Sequence, residues 1–201
     1  MLPKPIQNLI DEFAKLPSVG PRQAARFVFY LLHQPKEEIE KLAKKLFVLQ
    51  KIDYCSFCNR IIESNGGKTP LCDICKDKKR DRSTVCIVEK DTDIEAIEKT
   101  KRYEGIYYII GNDNEKEQLK RLKDLINRIK KSDKKLKEII IATDATTEGE
   151  TIALYIARQL KELKKDNPDL VISRLGRGLS TGSELEYMDE DTLVNALLGR
   201  K

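Results

Sequence analysis

Apolar residues in the first fifty positions recur with the period of an α-helix. The first set follows the spacing i, i+3, i+4 and i+7 and consists of Ile6, Leu9, Ile10 and Phe13. A tight turn over residues 16–21 interrupts this pattern, and Pro21 suits the first position of a second helix. A third apolar series runs over residues 39–49 with the same period. These patterns predict a small helical unit over residues 1–52.

The period of the apolar positions changes after residue 80, where short apolar runs alternate with amphipathic stretches. The runs predict strands at 84–89, 106–110, 138–143 and 170–173, and the stretches predict helices at 91–100, 115–131 and 150–165. Asp91 is expected to cap the first of these helices. Strands that alternate with helices need crossover connections. We therefore predict an α/β fold, a mostly parallel sheet with helices on both faces.

A polar, charged connector at residues 76–82 marks a predicted domain boundary. The chain then divides into four regions: a helical hairpin unit at 1–52, a cysteine-bearing region at 53–80, the α/β domain at 81–175 and a C-terminal segment at 176–201. The last segment carries a few apolar residues at helical spacing, which predict a short helix that Gly199 ends.

Charge is spread unevenly over the 201 residues, whose formal net charge is +5. Residues 1–80 hold 15 Lys and Arg against 9 Asp and Glu, whereas residues 81–201 hold 23 against 24. A polyanionic partner would therefore dock first on the N-terminal part. The alternative is a lysine-rich surface that is simply solvated.

Apolar runs in the sequence stay well short of the ~18 residues that span a bilayer. The first five residues also lack the apolar core of a signal peptide. We therefore expect a cytoplasmic protein. Thiols stay reduced in that compartment, so the five cysteines need an explanation other than disulfides.

Four cysteines form two CxxC pairs, Cys55 with Cys58 and Cys72 with Cys75, and thirteen residues separate the pairs. Two such pairs can supply four thiolates to a tetrahedral zinc ion, which leaves no open position for water. The sequence thus predicts one structural Zn2+ per chain. The alternative is a redox-active CxxC pair. Cys86 falls within a predicted strand and is expected to be buried, and a lone histidine, His33, gives no support to histidine chemistry.

The turn at residues 16–21 has the features of a phosphate-binding hairpin. Gly20 precedes a helix whose first backbone N–H groups and dipole can bind an anion. Arg22 and Arg26 lie four apart on one face of that helix and can contact further phosphates. We therefore predict DNA contacts at Gly20, Arg22 and Arg26. The alternative is an ordinary helical hairpin with no ligand.

Acidic residues follow two predicted strands of the α/β domain. Glu89 ends the first strand, and Asp144, Glu148 and Glu150 follow the third. Ligands of open parallel sheets gather outside the carboxyl ends of the strands, and Mg2+ prefers carboxylate oxygens. These residues are a candidate Mg2+ site or a docking surface for a basic partner. The alternative is a helix N-terminus with favourable acids.

This acidic pattern resembles that of a Toprim domain, the metal-binding module of topoisomerases and primases. Toprim enzymes carry two alternating aspartates before a Gly-Glu pair, and here Thr146 replaces the second aspartate.

The order of hairpin, four-cysteine site and Toprim domain resembles the RecR family of recombination mediators over essentially the whole chain. The supporting segments include 88–89, 93–98, 148–150 and 182–187. This resemblance implies sequence-independent DNA binding by a dimer or tetrameric ring. It also implies the partners RecO and RecF, the loading of recombinase at DNA gaps and no catalysis.

Four departures from the family pattern bear on assembly, partner surfaces and catalysis. Ser18 stands where the hairpin usually has glycine, Asp144 where the family usually has asparagine, and Ser180 where it usually has proline. The loop at 111–114 is shorter than usual for the family.

The alternative function is a small Mg2+-dependent Toprim nuclease, because Asp144 partly restores the catalytic pattern. A topoisomerase or a primase needs further domains for which 201 residues leave no room. A purely structural zinc adaptor would leave the basic hairpin unexplained.

Overall fold

The computed structural model describes residues 2–64, 66–111, 114–132, 135–176, 178–179 and 181–200. Two compact units divide the chain, Met1–Ile52 and Asp53–Lys201. Residues 112 and 113 of the short loop, and Ser180, lie outside the described residues. Within the described part of the chain, no helix is long and apolar enough to cross a membrane.

The first unit is helical. It comprises α1 (Lys4–Phe13), α2 (Pro21–Leu32), α3 (Lys36–Val48) and a short 3-10 turn (Leu49–Lys51). Its core is buried between α1 and α2 and is formed by Ile10, Ala24 and Val28, with Ile6 and Phe13 partly buried beside them. The small side chain of Ala24 is fully buried and lets the two helices approach closely.

The turn between α1 and α2 adopts a left-handed backbone conformation at Ser18, whose φ is 61°. Glycine adopts this conformation without steric cost, whereas other residues are strained in it. The N–H of Val19 closes the turn on the carbonyl of Leu16 at 3.1 Å. Ser18 therefore takes the conformation that suits glycine, and the hairpin forms despite this departure from the family pattern.

The second unit contains the predicted parallel sheet, which is confirmed. Its strands are β3 (Asp81–Val88), β4 (Gly105–Ile109), β5 (Glu138–Ala142) and β6 (Val171–Arg174), in the order β4-β3-β5-β6. All three pairings are parallel, and Cys86 lies opposite Tyr107 on one side and Ile140 on the other. A separate two-stranded sheet pairs β1 (Ile52–Tyr54) with β2 (Ile61–Glu63).

The helices of the second unit are α4 (Asp73–Lys76), α5 (Asp91–Lys99), α6 (Glu115–Lys131), α7 (Thr147–Leu160), α8 (Leu163–Asp166) and α9 (Glu190–Leu198). A further 3-10 turn spans Leu185–Tyr187. The helix predicted at 115–131 has those bounds, because Asn114 caps it by accepting from the N–H of Lys116.

One predicted helix cap and one predicted helix start are wrong. Asp91 does not cap α5. The helix begins at Asp91, as predicted, but Lys90 is at the cap position. The carboxylate of Asp93 accepts from the backbone N–H groups of Glu89 and Lys90. The helix predicted from residue 150 begins at Thr147, because the hydroxyl of Thr146 accepts from the N–H of Gly149 and caps it.

Alternating side chains of the strands bury both faces of the sheet. On one face Val85, Ile87 and Ile139 pack against α6, α7 and α8. On the other face Cys86, Val88 and Tyr107 pack against Ile94 of α5 and against the four paired cysteines. The cysteine-bearing region thus covers part of one face of the sheet, where a helix would otherwise be needed.

Gly149 lets α7 begin against the loop that follows β5. A Cβ atom at this position would lie 2.2 Å from the carbonyl oxygen of Asp144 and 2.9 Å from its carbon. Backbone atoms cannot move aside as a flexible side chain would, so the position requires glycine.

We predict that Gly149→Ala destabilises the protein by about 1–3 kcal/mol, as overpacked sites do, although alanine is the better helix former. Gly67→Ala is the matched control, because an added Cβ there meets nothing within 4 Å. Urea unfolding of both variants measures the difference. Equal stability of Gly149→Ala and the parent protein would contradict the steric argument.

Candidate metal centre and nucleic-acid interface

The four paired cysteines form a compact, buried cluster. The sulfurs of Cys55, Cys58, Cys72 and Cys75 all lie within 4.8 Å of one another. Those of Cys58 and Cys72 are 3.5 Å apart. A tetrahedral zinc site with Zn–S bonds of about 2.3 Å has S–S edges of about 3.8 Å. The four residues therefore fit zinc in both spacing and ligand type.

Local backbone structure presents each pair of thiols. The first pair lies in the turn after β1, where Asn59 has φ of 62° and the N–H of Cys55 donates to the carbonyl of Arg60 at 2.7 Å. The second pair opens α4, where the sulfur of Cys72 accepts from the N–H of Cys75 at 3.4 Å. This contact stabilises a thiolate at Cys72.

The four thiols are close enough for each to shift the pKa of the others. Hydrogen bonds from Cys58, Cys72 and Cys75 hold the pKa of Cys55 well below its ordinary value, whereas hydrogen bonds with the other three thiols raise the pKa of Cys75. Four thiolates this close repel one another, so all four can ionise together only around a cation.

Hydrogen bonds connect the first cysteine pair to the sheet and to α6, and the second pair to the sheet. The N–H of Ile109 in β4 donates to the carbonyl of Cys58 at 2.8 Å. Arg128 of α6 donates to the carbonyl of Ser56, and Arg82 of β3 donates to that of Cys75, each at 2.7 Å. Neither arginine was predicted as a site residue, because nothing in its spacing distinguishes it among the 38 Lys and Arg residues.

The fifth cysteine and the histidine lie outside this site. Cys86 is buried in β3, as predicted, and burial raises its pKa to about 12. His33 is exposed at the end of α2, where a ring nitrogen lies 2.7 Å from the carbonyl oxygen of Phe29.

The candidate phosphate site lies in the first unit, at the start of α2. Gly20 is the residue before the helix, and no side chain caps the free N–H groups of its first turn. Arg22 and Arg26 are exposed, and neither makes an ion pair within the described residues. The first turn of α2 also contains no acidic residue, so its positive field is uncompensated.

Three of the four predicted acidic site residues are engaged by protein groups. Glu89 is buried and accepts from the N–H of Asp144 at 3.0 Å. The carboxylate of Asp144 pairs with Lys90 at 3.1 Å, and that of Glu150 makes two hydrogen bonds of 2.6 Å to Arg174.

Among the residues that the structure describes, the four cysteines are the one set of three or more His, Cys, Asp or Glu side chains close enough together to hold a metal. Glu89, Asp144, Glu148 and Glu150 form no such group there. The position of the second Toprim aspartate is taken by the helix cap Thr146.

We predict that freshly purified, reduced protein carries one zinc ion per chain and that Cys72→Ser loses it, because three thiolates no longer close the tetrahedron. Cys86→Ala is the matched control, since it removes a cysteine outside the cluster. Elemental analysis measures both. A zinc-free parent protein, or full zinc content in Cys72→Ser, would contradict the assignment.

Three family models match the chain. A model for the Toprim domain matches residues 84–175. One described as RecR, helix-hairpin-helix, matches residues 6–48, and one described as RecR, C-terminal, matches residues 178–201.

Curated relatives named Recombination protein RecR align with almost the whole chain. The protein of Staphylococcus saprophyticus is 40% identical over 98% of this chain and 97% of its own length. That of Chloroherpeton thalassium is 39% identical over 97% and 95%, and that of Mycobacterium leprae is 38% identical over 100% and 98%. The chain therefore belongs to the RecR family of recombination proteins.

Proposed function

We propose that this chain is a DNA-binding mediator of recombinational repair that performs no chemistry of its own. It acts in the cytoplasm with RecO and RecF and helps to load recombinase at DNA gaps. The observation that carries the proposal is the start of α2, where free backbone N–H groups, Arg22 and Arg26 face solvent with no acidic neighbour in the first turn.

The hairpin recognises the phosphate backbone and not the bases. An added Cβ at Gly20 would meet nothing within 4 Å, so the space in front of the helix is open to a phosphate. The N–H groups of the first turn bind one phosphate, and the two guanidinium groups contact its neighbours. Contacts of this kind carry no sequence information.

The zinc ion in this proposal is structural. Four cysteine ligands leave no coordination position for water or substrate, so the ion supplies folding energy and not catalysis. Its role is to hold the cysteine-bearing region against the sheet.

The assembly in this proposal is a dimer or a ring. Helix α3 has no buried residue, and Leu46 and Phe47 on it are 55% and 66% exposed. Helix α9 likewise has no buried residue and exposes Leu197 and Leu198 by 61% and 80%. Apolar surfaces of this extent favour burial against another copy.

A small nuclease is the second candidate, because Glu89 and Asp144 meet beyond the carboxyl ends of β3 and β5. Phosphodiester cleavage needs carboxylates that are free to fix Mg2+. Here Asp144 is paired with Lys90, and Glu150 is paired with Arg174. Thr146 supplies a hydroxyl in place of a carboxylate. We therefore assign the acidic residues to structure or to docking of a basic partner.

We predict that Arg22→Ala with Arg26→Ala weakens DNA binding and lowers the slope of log K against log salt by about 2, because two phosphate contacts are lost. Lys41→Ala with Lys44→Ala removes equal charge from α3, where both lysines pair with glutamates, and should change binding little. Fluorescence anisotropy at several salt concentrations measures both. If the double arginine variant binds DNA like the parent protein, the hairpin is not the DNA-binding site.

We also predict that the protein is at least a dimer at micromolar concentration, because the apolar faces of α3 and α9 need a partner. Light scattering with and without DNA measures the mass. A strict monomer in both conditions would count against the proposed assembly.

Finally, we predict that single- and double-stranded DNA remain intact after incubation with the protein and Mg2+ or Mn2+. Gel electrophoresis of end-labelled DNA detects any cleavage. Nicking that disappears in both Glu89→Ala and Asp144→Ala would overturn the mediator in favour of the nuclease.

A further inference from the structure

Charged residues lie at both ends of the parallel sheet. Glu89 and Asp144 follow the carboxyl ends of β3 and β5. At the amino ends of the same strands lies a concave surface of about 570 Å³, which we call the basic rim. Its cationic residues are Lys78, Arg80, Arg82, Lys135 and Lys137. A polyanion that approaches the second unit is therefore attracted to the amino ends of these strands.

Part of the positive charge on the basic rim is free to meet a ligand. Arg80 is held by Glu98, and Lys135 pairs with Asp169. Lys78 and Lys137 are exposed and make no ion pair within the described residues. The acid of this surface, Asp81, is already engaged, since it accepts from the hydroxyl and the N–H of Ser83 at 2.6 and 2.8 Å.

Arg82 also lines a second cavity of about 350 Å³, which we call the slot. The slot has apolar walls that include Val85, Ile106 and Leu125. Two flat groups, the ring of Phe57 and the guanidinium of Arg128, line it as well and lie 6.0 Å apart. Arg82 donates to the carbonyl of Cys75, and Arg128 donates to that of Ser56 and pairs with Asp124, so the cations of the slot are fixed in place.

We propose that the basic rim and the slot together bind single-stranded nucleic acid, with phosphates on Lys78 and Lys137 and one unpaired base in the slot. Surfaces that bind single strands combine a cationic track with aromatic groups on which bases stack. An apolar, partly aromatic cavity beside exposed lysines has this composition. A duplex has no unpaired base to insert, so the surface favours single strands.

This surface lies in the second unit and uses none of the hairpin residues. The proposal is therefore independent of DNA binding at α2, and the two can fail separately. It adds to the proposed function a contact that distinguishes single-stranded from double-stranded DNA.

The test uses the full chain and an oligothymidylate that carries one 5-iododeoxyuridine, a base that cross-links under ultraviolet light to aromatic residues beside it. We expect mass spectrometry to find the cross-link at Phe57. Lys78→Ala with Lys137→Ala should lose most of the cross-link. The same change should weaken single-strand binding roughly tenfold and lower its salt slope by about 1.4, the value for two phosphates.

Two control variants separate this surface from general charge and from the hairpin. Lys123→Ala with Lys161→Ala removes equal charge from exposed positions outside the basic rim and should leave the cross-link intact. Arg22→Ala with Arg26→Ala should keep the Phe57 cross-link at saturating oligonucleotide, whether or not the hairpin binds DNA. The lysine variants avoid Phe57 itself, which packs against the core and whose loss would disturb folding.

Three results would overturn the proposal. The first is a cross-link map without Phe57. The second is an equal loss of cross-link in the rim variant and its charge-matched control. The third is a Phe57 cross-link that an oligoglutamate peptide suppresses and unlabelled oligothymidylate does not. This result would assign the surface to an acidic protein partner.

Discussion

The four-sulfur cluster is the contact on which the second unit depends most. A parallel sheet must be covered on both faces, and here one face is covered by α6, α7 and α8, while α5 and the cysteine-bearing region share the other. The buried sulfurs pack in the same apolar cluster as Val88 and Tyr107 of the sheet. Without a cation the thiolates repel one another, so a bound metal would complete this face of the sheet.

The same region also organises charge around the sheet. Carbonyls of the two cysteine pairs hold Arg82 and Arg128 at the slot, while Lys90 and Arg174 neutralise the acids at the opposite end of the sheet. In this Toprim fold Glu89 accepts from a backbone N–H, and Asp144 and Glu150 lie in ion pairs. Thr146 caps a helix in place of the second Toprim aspartate. This distribution of charge supports the proposed nucleic-acid binding.

The parallel sheet and the four-cysteine cluster were predictable from the sequence, because the period of apolar residues and the spacing of metal ligands are local signals. Local signals did not give the cap position of α5, which is Lys90 and not Asp91, or the start of α7, which the hydroxyl of Thr146 caps. They also did not reveal Arg82 and Arg128, whose partners lie 7 and 72 residues away. The sequence showed that Ser18 replaces the usual glycine of the family. Only its φ of 61° shows that it adopts the left-handed conformation of the turn.

Hydrogen–deuterium exchange of the full chain, with and without removal of zinc by a chelator, tests the central claim most directly. If the metal holds the cysteine-bearing region on the sheet, residues 53–80 and the adjoining β4 will lose protection on chelation. Helices α1 and α2, whose core contains no cysteine, will keep theirs. Unchanged protection at residues 53–80 after the metal has been removed would contradict the account.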